Sequence, residues 1–159
     1  MLRPQPMRNT YMSGIKSKIS EGRSSGTVLF VDDEPSIRLT LPPILAEQGF
    51  TVSVASSVAS ALEEISSHSF DVVLSDLNIN KPRDGFLVVH AARAANPLCV
   101  AILLTGYPDF DSAAEGFSKD VDGYLVKPAE IENLLKLIDQ KLALKIPPQQ
   151  AQHKMLNVG

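Results

Sequence analysis

The sequence predicts an α/β fold in which an open parallel sheet carries helices on both faces. Three observations predict it. Short runs of β-branched and other apolar residues, "VLFV" at 28–31, "VVL" at 72–74 and "VAILL" at 100–104, are too short for helices and apolar at every position, as strands covered on both faces are. Stretches with helical spacing of apolar residues separate them. Five strands alternate with five helices, and right-handed crossovers then leave a doubly wound sheet as the solution.

The elements follow in order. After the strand at 28–31, Ile37, Leu41 and Leu45 mark the first helix, and Pro35 suits its first turn. Pro42 and Pro43 lie inside that helix, where each removes a backbone donor and crowds the preceding turn, so a kink or early break is expected. "TVSVA" at 51–55 alternates, as an edge strand does. Val58, Leu62 and Ile65 give the second helix, with Ser57 as its cap. Phe86, Val89 and Arg93 follow the strand at 72–74 as the third helix. The fourth, between Asp111 and Lys119, has only Ala113, Ala114 and Phe117 as anchors and contains Gly116, which makes it the weakest element. "YLV" at 124–126 is a short edge strand, and Ile131, Leu134, Leu135, Ile138 and Leu142 form the last helix, with Pro128 suited to its first turn.

Composition bounds what such a fold does. The chain has 159 residues, 44% hydrophobic and 21% charged, the size and balance of one globular domain. Residues 1–26 hold five cations against one acid, a net charge of +4, which leaves −7 for the other 133 residues. An acidic body argues against nucleic-acid binding, which needs a basic surface to displace counterions. The expected organisation is a disordered basic arm at 1–25, a domain at 26–145 and a flexible tail at 146–159 that begins after a double proline. No apolar stretch reaches membrane-spanning length and the first residues lack a secretory core, so a cytoplasmic protein without membrane contact is expected. The single cysteine, Cys99, adjoins an apolar run and reads as a small core residue. His68 and His90 fall on predicted helices and His153 in the tail, away from the strand ends.

In an open α/β sheet the ligand crevice lies beyond the carboxyl ends of the strands. Asp32 and Asp33 follow the first strand there, Asp76 the third, Thr105 the fourth and Lys127 the fifth. Three carboxylates brought together raise one another's pKa unless a cation joins them. Their hard oxygens select Mg²⁺, with Mn²⁺ able to replace it. Lys127 and Thr105 then suit phosphoryl oxygens, one as a point charge and one as a hydroxyl donor. Taken singly, each residue has a plainer reading: Asp32 and Asp33 as a helix cap pair, Thr105 as a turn residue, Tyr124 as an edge aromatic and Lys127 as a solvated charge. Only their convergence favours a site.

Four stretches, "VLFVDDEPSIR" at 28–38, "VVLSDLNI" at 72–79, "LLTGYPD" at 103–109 and "DGYLVKPAEI" at 122–131, resemble the receiver domains of two-component response regulators over about residues 26–144. Each motif alone is weak; in order, each on its strand end, they are specific. The resemblance implies a flavodoxin-like sheet of order 2-1-3-4-5. It implies Asp76 as the acceptor of a phosphoryl group from a sensor histidine kinase or histidine phosphotransfer protein. It further implies a metal held by Asp32, Asp33, Asp76 and the main-chain carbonyl of Asn78. Thr105 and Lys127 would grip the phosphoryl group, Thr105 and Tyr124 would act as the switch pair, and Asn78 and Tyr107 would tune the phosphoryl lifetime. The Lys127-Pro128 peptide is expected to be cis. Output is expected through a downstream protein or a homodimer, by way of the face formed by the fourth helix, fifth strand and fifth helix.

One departure stands out. Commoner receivers have one residue fewer between the acceptor and the glycine matched by Gly85, and many have proline where this chain has Asn80, whereas Pro82 comes later here. Two other readings remain. A haloacid dehalogenase-type phosphatase also attacks with an acid after a strand, but it usually has a second acid two residues on, where this chain has Asn78. A receiver fold can also act as a phosphorylation-independent interaction module.

Overall fold

The computed structural model describes residues 26–106 and 120–145. Five strands, β1 (Thr27–Val31), β2 (Thr51–Ala55), β3 (Val72–Asp76), β4 (Val100–Thr105) and β5 (Gly123–Val126), form one parallel sheet of order β2-β1-β3-β4-β5. Four helices are described: α1 (Pro35–Glu47), α2 (Val58–Ser67), α3 (Gly85–Ala95) and α4 (Ile131–Leu144). The helix expected between Asp111 and Lys119 lies outside the described residues, as do the arm at 1–25 and the tail at 146–159.

Strand alternation divides the core. Val28, Phe30, Val72, Leu74, Ile102 and Leu104 pack with Leu45 of α1 and Leu134, Leu135 and Ile138 of α4. On the opposite face Leu29, Val31 and Val73 meet Ala61 and Ile65 of α2 and Val88 and Ala92 of α3. The central strands β1, β3 and β4 are buried almost throughout, and β2 and β5 are partly open. That is the division expected from continuous and alternating apolar patterns in central and edge strands. Burial on both faces fixes the register and thereby where each strand ends.

Local signals account for the helix ends. Ser57 caps α2: its Oγ accepts the Ser60 N–H at 3.1 Å, and Ser60 Oγ accepts the Ser57 N–H at 3.1 Å, a reciprocal capping box. Pro35 occupies the first turn of α1. Two expectations are corrected. The early break expected in α1 does not occur: the helix continues through Pro42 and Pro43 to Glu47, with Pro42 and Leu45 both buried. Pro128 does not begin the last helix; α4 starts at Ile131 after Glu130, and Pro128 belongs to the preceding turn. The Lys127-Pro128 peptide is cis.

At the edge of the sheet away from those turns, Asp122, just before β5, binds groups from three other elements. Its Oδ2 accepts from Arg93 of α3 at 2.6 Å and from the Ala101 N–H of β4 at 2.9 Å. Its Oδ1 lies 3.1 Å from Lys145 Nζ, just past α4. Cys99 is buried close by, and desolvation pushes its thiol pKa up to about 12.

Candidate functional site: an acidic cluster with one lysine

The carboxyl ends of β1, β3 and β5 meet at a single cluster. Because β1 and β3 are adjacent, the turn after Val31 and the last residue of β3 bring Asp32, Asp33 and Asp76 together, and one oxygen from each lies within 4.8 Å of the others. Lys127, on the turn after β5, reaches over β4 toward them: its Nζ donates to Asp32 Oδ2 at 2.5 Å and lies 3.6 Å from Asp76 Oδ2. The Asp32 side chain is 1% exposed, that of Asp76 13% and that of Lys127 18%, so the charges interact with little solvent screening. With all three acids ionised the cluster has a formal charge of −2, which a divalent cation balances. The donor set is therefore that of a hard-metal site.

Local hydrogen bonds hold Asp32 and the chain around Asp76. Asp32 Oδ1 accepts the Glu34 N–H at 2.9 Å, and its carbonyl accepts from the Arg38 guanidinium at 2.9 Å, so the first turn of α1 fixes the acidic turn. For Asp76, Ser75 Oγ donates to its carbonyl at 2.9 Å. The next residue closes onto β4, with the Leu77 N–H bonded to the Leu104 carbonyl at 2.8 Å. Gly85 closes the other side. Its N–H bonds to the Leu77 carbonyl at 2.8 Å, and a Cβ there would fall 2.3 Å from the Asp76 carbonyl oxygen. Glycine is thus required by close approach.

Asp76 is electrostatically strained. Burial raises its carboxyl pKa above the ordinary value, the nearby Lys127 opposes the rise, Asp32 reinforces it, the Asn78 N–H opposes it and Asp33 adds to it. The Asn78 N–H is 3.4 Å from Asp76 Oδ1. Thr105 ends β4 with 1% exposure, and its carbonyl accepts the Lys127 N–H at 2.6 Å, which joins the two residues along the sheet edge. Tyr124 is half-buried against the group containing Leu77 and Leu103. An apolar groove of about 390 Å³ runs beside the cluster between α1 and the β5–α4 turn, with Ile37, Leu41, Leu104 and Pro128 in its walls.

A family model described as the response regulator receiver domain matches residues 28–139. The chain belongs to that family. Its relatives include the DNA-binding transcriptional regulator NtrC of Escherichia coli K12, 30% identical over 132 residues that make up 83% of this chain and 28% of that protein. The receiver thus matches only about a quarter of that regulator's length. Among solved structures, a CheY-like receiver from Methanospirillum hungatei JF-1 superposes with a TM-score of 0.70 at 25% identity, covering 77% of this chain and 97% of that one. The chemotaxis protein CheY4 of Vibrio cholerae does so with a TM-score of 0.67 at 31% identity, covering 75% and 100%. Receiver domains are signalling domains of two-component systems.

The structure therefore brings together Asp32, Asp33, Asp76 and Lys127, with Thr105 on the adjoining strand end and Asn78 two residues beyond Asp76. Tyr107 and His153 lie outside the described residues. His90 is on α3, with Nδ1 3.3 Å from Asp120, while His68 follows α2 as its cap rather than lying within it; both are exposed and remote from the cluster. Sequence reasoning missed the contributions of Arg38 and Ser75. Arg38 carried a signal, since position 38 lies one helical turn beyond Glu34 and can reach back over the acidic turn; Ser75, inside an apolar run, carried almost none. Among the described residues, no helix is long and apolar enough to cross a membrane.

Proposed function

We propose that this receiver domain accepts a phosphoryl group on Asp76 from a phosphohistidine of a sensor kinase or phosphotransfer protein, and that phosphorylation changes its protein contacts. The observation that carries this reading is the convergence of Asp76 with Asp32, Asp33 and Lys127 at the carboxyl edge of the sheet. An Asp76 carboxylate oxygen attacks phosphorus, the P–N bond breaks, and the imidazole leaves with the electron pair. Lys127, already 3.6 Å from Asp76, neutralises charge that develops on the phosphoryl oxygens. Asp32, Asp33, Asp76 and the Asn78 carbonyl are the residues suited to hold Mg²⁺ or Mn²⁺. When bound, the ion would offset the charge of carboxylates and phosphoryl oxygens.

Thr105 and Tyr124 are proposed as the responding pair: the hydroxyl on β4 moves toward the new phosphoryl group and the aromatic on β5 follows. The contacts that change are then those of the β5 edge and its flanking helices, where a target protein or a second copy docks. The groove between α1 and the β5–α4 turn supports access by a donor protein. A dehalogenase-type phosphatase is disfavoured by Asn78, whose carboxamide is bonded within the loop and offers no acid.

Incubation with a phosphorylated histidine kinase or a small acyl-phosphate donor tests the reading. The expected outcome is one Mg²⁺-dependent phosphoryl group per chain, slowly lost and absent from Asp76→Asn. Continuous turnover of phosphate esters, or labelling of Asp76→Asn to the same extent, would overturn it. Thr105→Ala is expected to accept the group yet lose most of its conformational response, read as amide chemical-shift change on phosphorylation.

A further inference from the structure

The Asp32 carbonyl lies where the sheet runs out of donors. The Asp32 N–H still donates to the Ala55 carbonyl of β2 at 3.2 Å, as the final bond of the β1–β2 ladder. In a parallel ladder the carbonyl of the same residue accepts from the N–H two residues further along the partner strand, which here is Ser57. That N–H is taken: it donates to Ser60 Oγ at 3.1 Å in the capping box of α2. Asp32 is fully buried, so its carbonyl has no recourse to solvent and needs a donor from the protein. Arg38 supplies it. From one turn into α1, its guanidinium reaches back and donates to the Asp32 carbonyl at 2.9 Å.

We infer that Arg38 is a positioning residue for the metal: by holding the Asp32 carbonyl it sets how well the acidic turn presents its oxygens to a divalent cation. The inference rests on the reading of the acidic cluster as a Mg²⁺ or Mn²⁺ site. The Asp32 carbonyl belongs to the same planar peptide as the Asp33 N–H, so gripping it fixes the direction in which the Asp33 side chain leaves the turn. The Asp32 carboxylate is anchored separately, by the Glu34 N–H at Oδ1 and by Lys127 at Oδ2. Without the guanidinium that peptide plane turns to find another donor, and the oxygens of Asp32, Asp33 and Asp76, now within 4.8 Å of one another, lose their common focus. Charge alone gives the opposite result. A cation beside the acidic turn repels a dication, so its removal would tighten metal binding if Arg38 had no positioning effect. The sign of the change therefore separates the two.

The test is a Mn²⁺ titration of full-length, unphosphorylated chains, read from the paramagnetic resonance signal of the free ion. Arg38→Met keeps much of the apolar stem and removes the charge and the donors. Its Mn²⁺ affinity is expected to fall roughly ten-fold, the size usual when a group supporting metal ligands is lost. Arg38→Lys returns a charge and an N–H donor at nearly the same reach, and the carbonyl takes a single bond, so most of the loss is expected to be recovered. Amide exchange without metal reads the turn directly. In Arg38→Met, exchange at Glu34, whose N–H donates to Asp32 Oδ1, is expected to accelerate, while that at Leu77, bonded to the Leu104 carbonyl, stays unchanged. Mn²⁺ affinity in Arg38→Met equal to or above that of the unsubstituted protein would overturn the inference, and so would an Arg38→Lys protein that binds no tighter than Arg38→Met. Unchanged exchange at Glu34, or a rise shared with Leu77 that marks destabilisation of the whole sheet, would also overturn it. If the unsubstituted chain binds no Mn²⁺, the metal reading itself fails and this inference falls with it.

Discussion

In the reaction we propose, Asp76 attacks phosphorus as a carboxylate, yet burial and two neighbouring acids favour its protonated form, with only Lys127 and one N–H opposed. A carboxyl pKa raised on folding contributes stability below the ordinary value near 3.9, and that contribution is lost as pH rises through the raised value. Asp76→Asn, permanently neutral, is therefore expected to raise the metal-free melting temperature at neutral pH, with the gain vanishing below about pH 3.5. Thermal scans across pH would show this. Gly85 is the second decisive residue. A methyl group there meets the Asp76 carbonyl at 2.3 Å, so Gly85→Ala is expected to destabilise by about 2 kcal/mol in chemical denaturation and to lower the rate of phosphorylation. Asp32, Asp33, Asp76 and Lys127 were legible in the sequence because each follows a recognisable strand. The left-handed conformation of Arg83, with φ 67° in the loop after β3, was not, because arginine does not announce that conformation as glycine would.

Among the elements, α1 departs most from its sequence reading. Pro42 and Pro43 cannot donate to the carbonyls of Arg38 and Leu39, yet the helix continues, because Ile37, Leu41 and Leu45 still bury one continuous face against β1 and β2. Packing outweighs local propensity in this helix. Pro43, which is exposed, can be replaced without loss of core contact. Pro43→Ala restores a donor for the Leu39 carbonyl and is expected to stabilise by about 2 kcal/mol, measured from the denaturant midpoint. The strands were easier to read: continuous apolar runs identify β1, β3 and β4 and so the order of the central sheet. Their ends required no tertiary information, and the site is built from strand ends. The first residue of α4 was misread because a proline after a strand suits both a helix start and a turn.

For the molecule as a whole, the acids at the two ends of the sheet are balanced differently. At the carboxyl edge three acids face one lysine; at the other, Asp122 is matched by Arg93, Lys145 and a backbone N–H. Mg²⁺ is therefore expected to raise the melting temperature at neutral pH. That increase should shrink as pH falls through the raised pKa of Asp76, where protons compete for the same oxygens, and should be much reduced in Asp33→Asn. Asp122→Ala leaves two poorly solvated cations and a β4 N–H unpartnered and is expected to cost about 3 kcal/mol, with Mg²⁺ binding at the far edge retained. The lone thiol has a practical consequence. With a pKa of about 12 and almost no exposure, Cys99 should be silent toward maleimides at neutral pH until the protein unfolds. A cysteine introduced at the exposed Val126 would then be the single reactive handle, so a fluorophore on β5 could follow the proposed phosphorylation response in real time without first building a cysteine-free background.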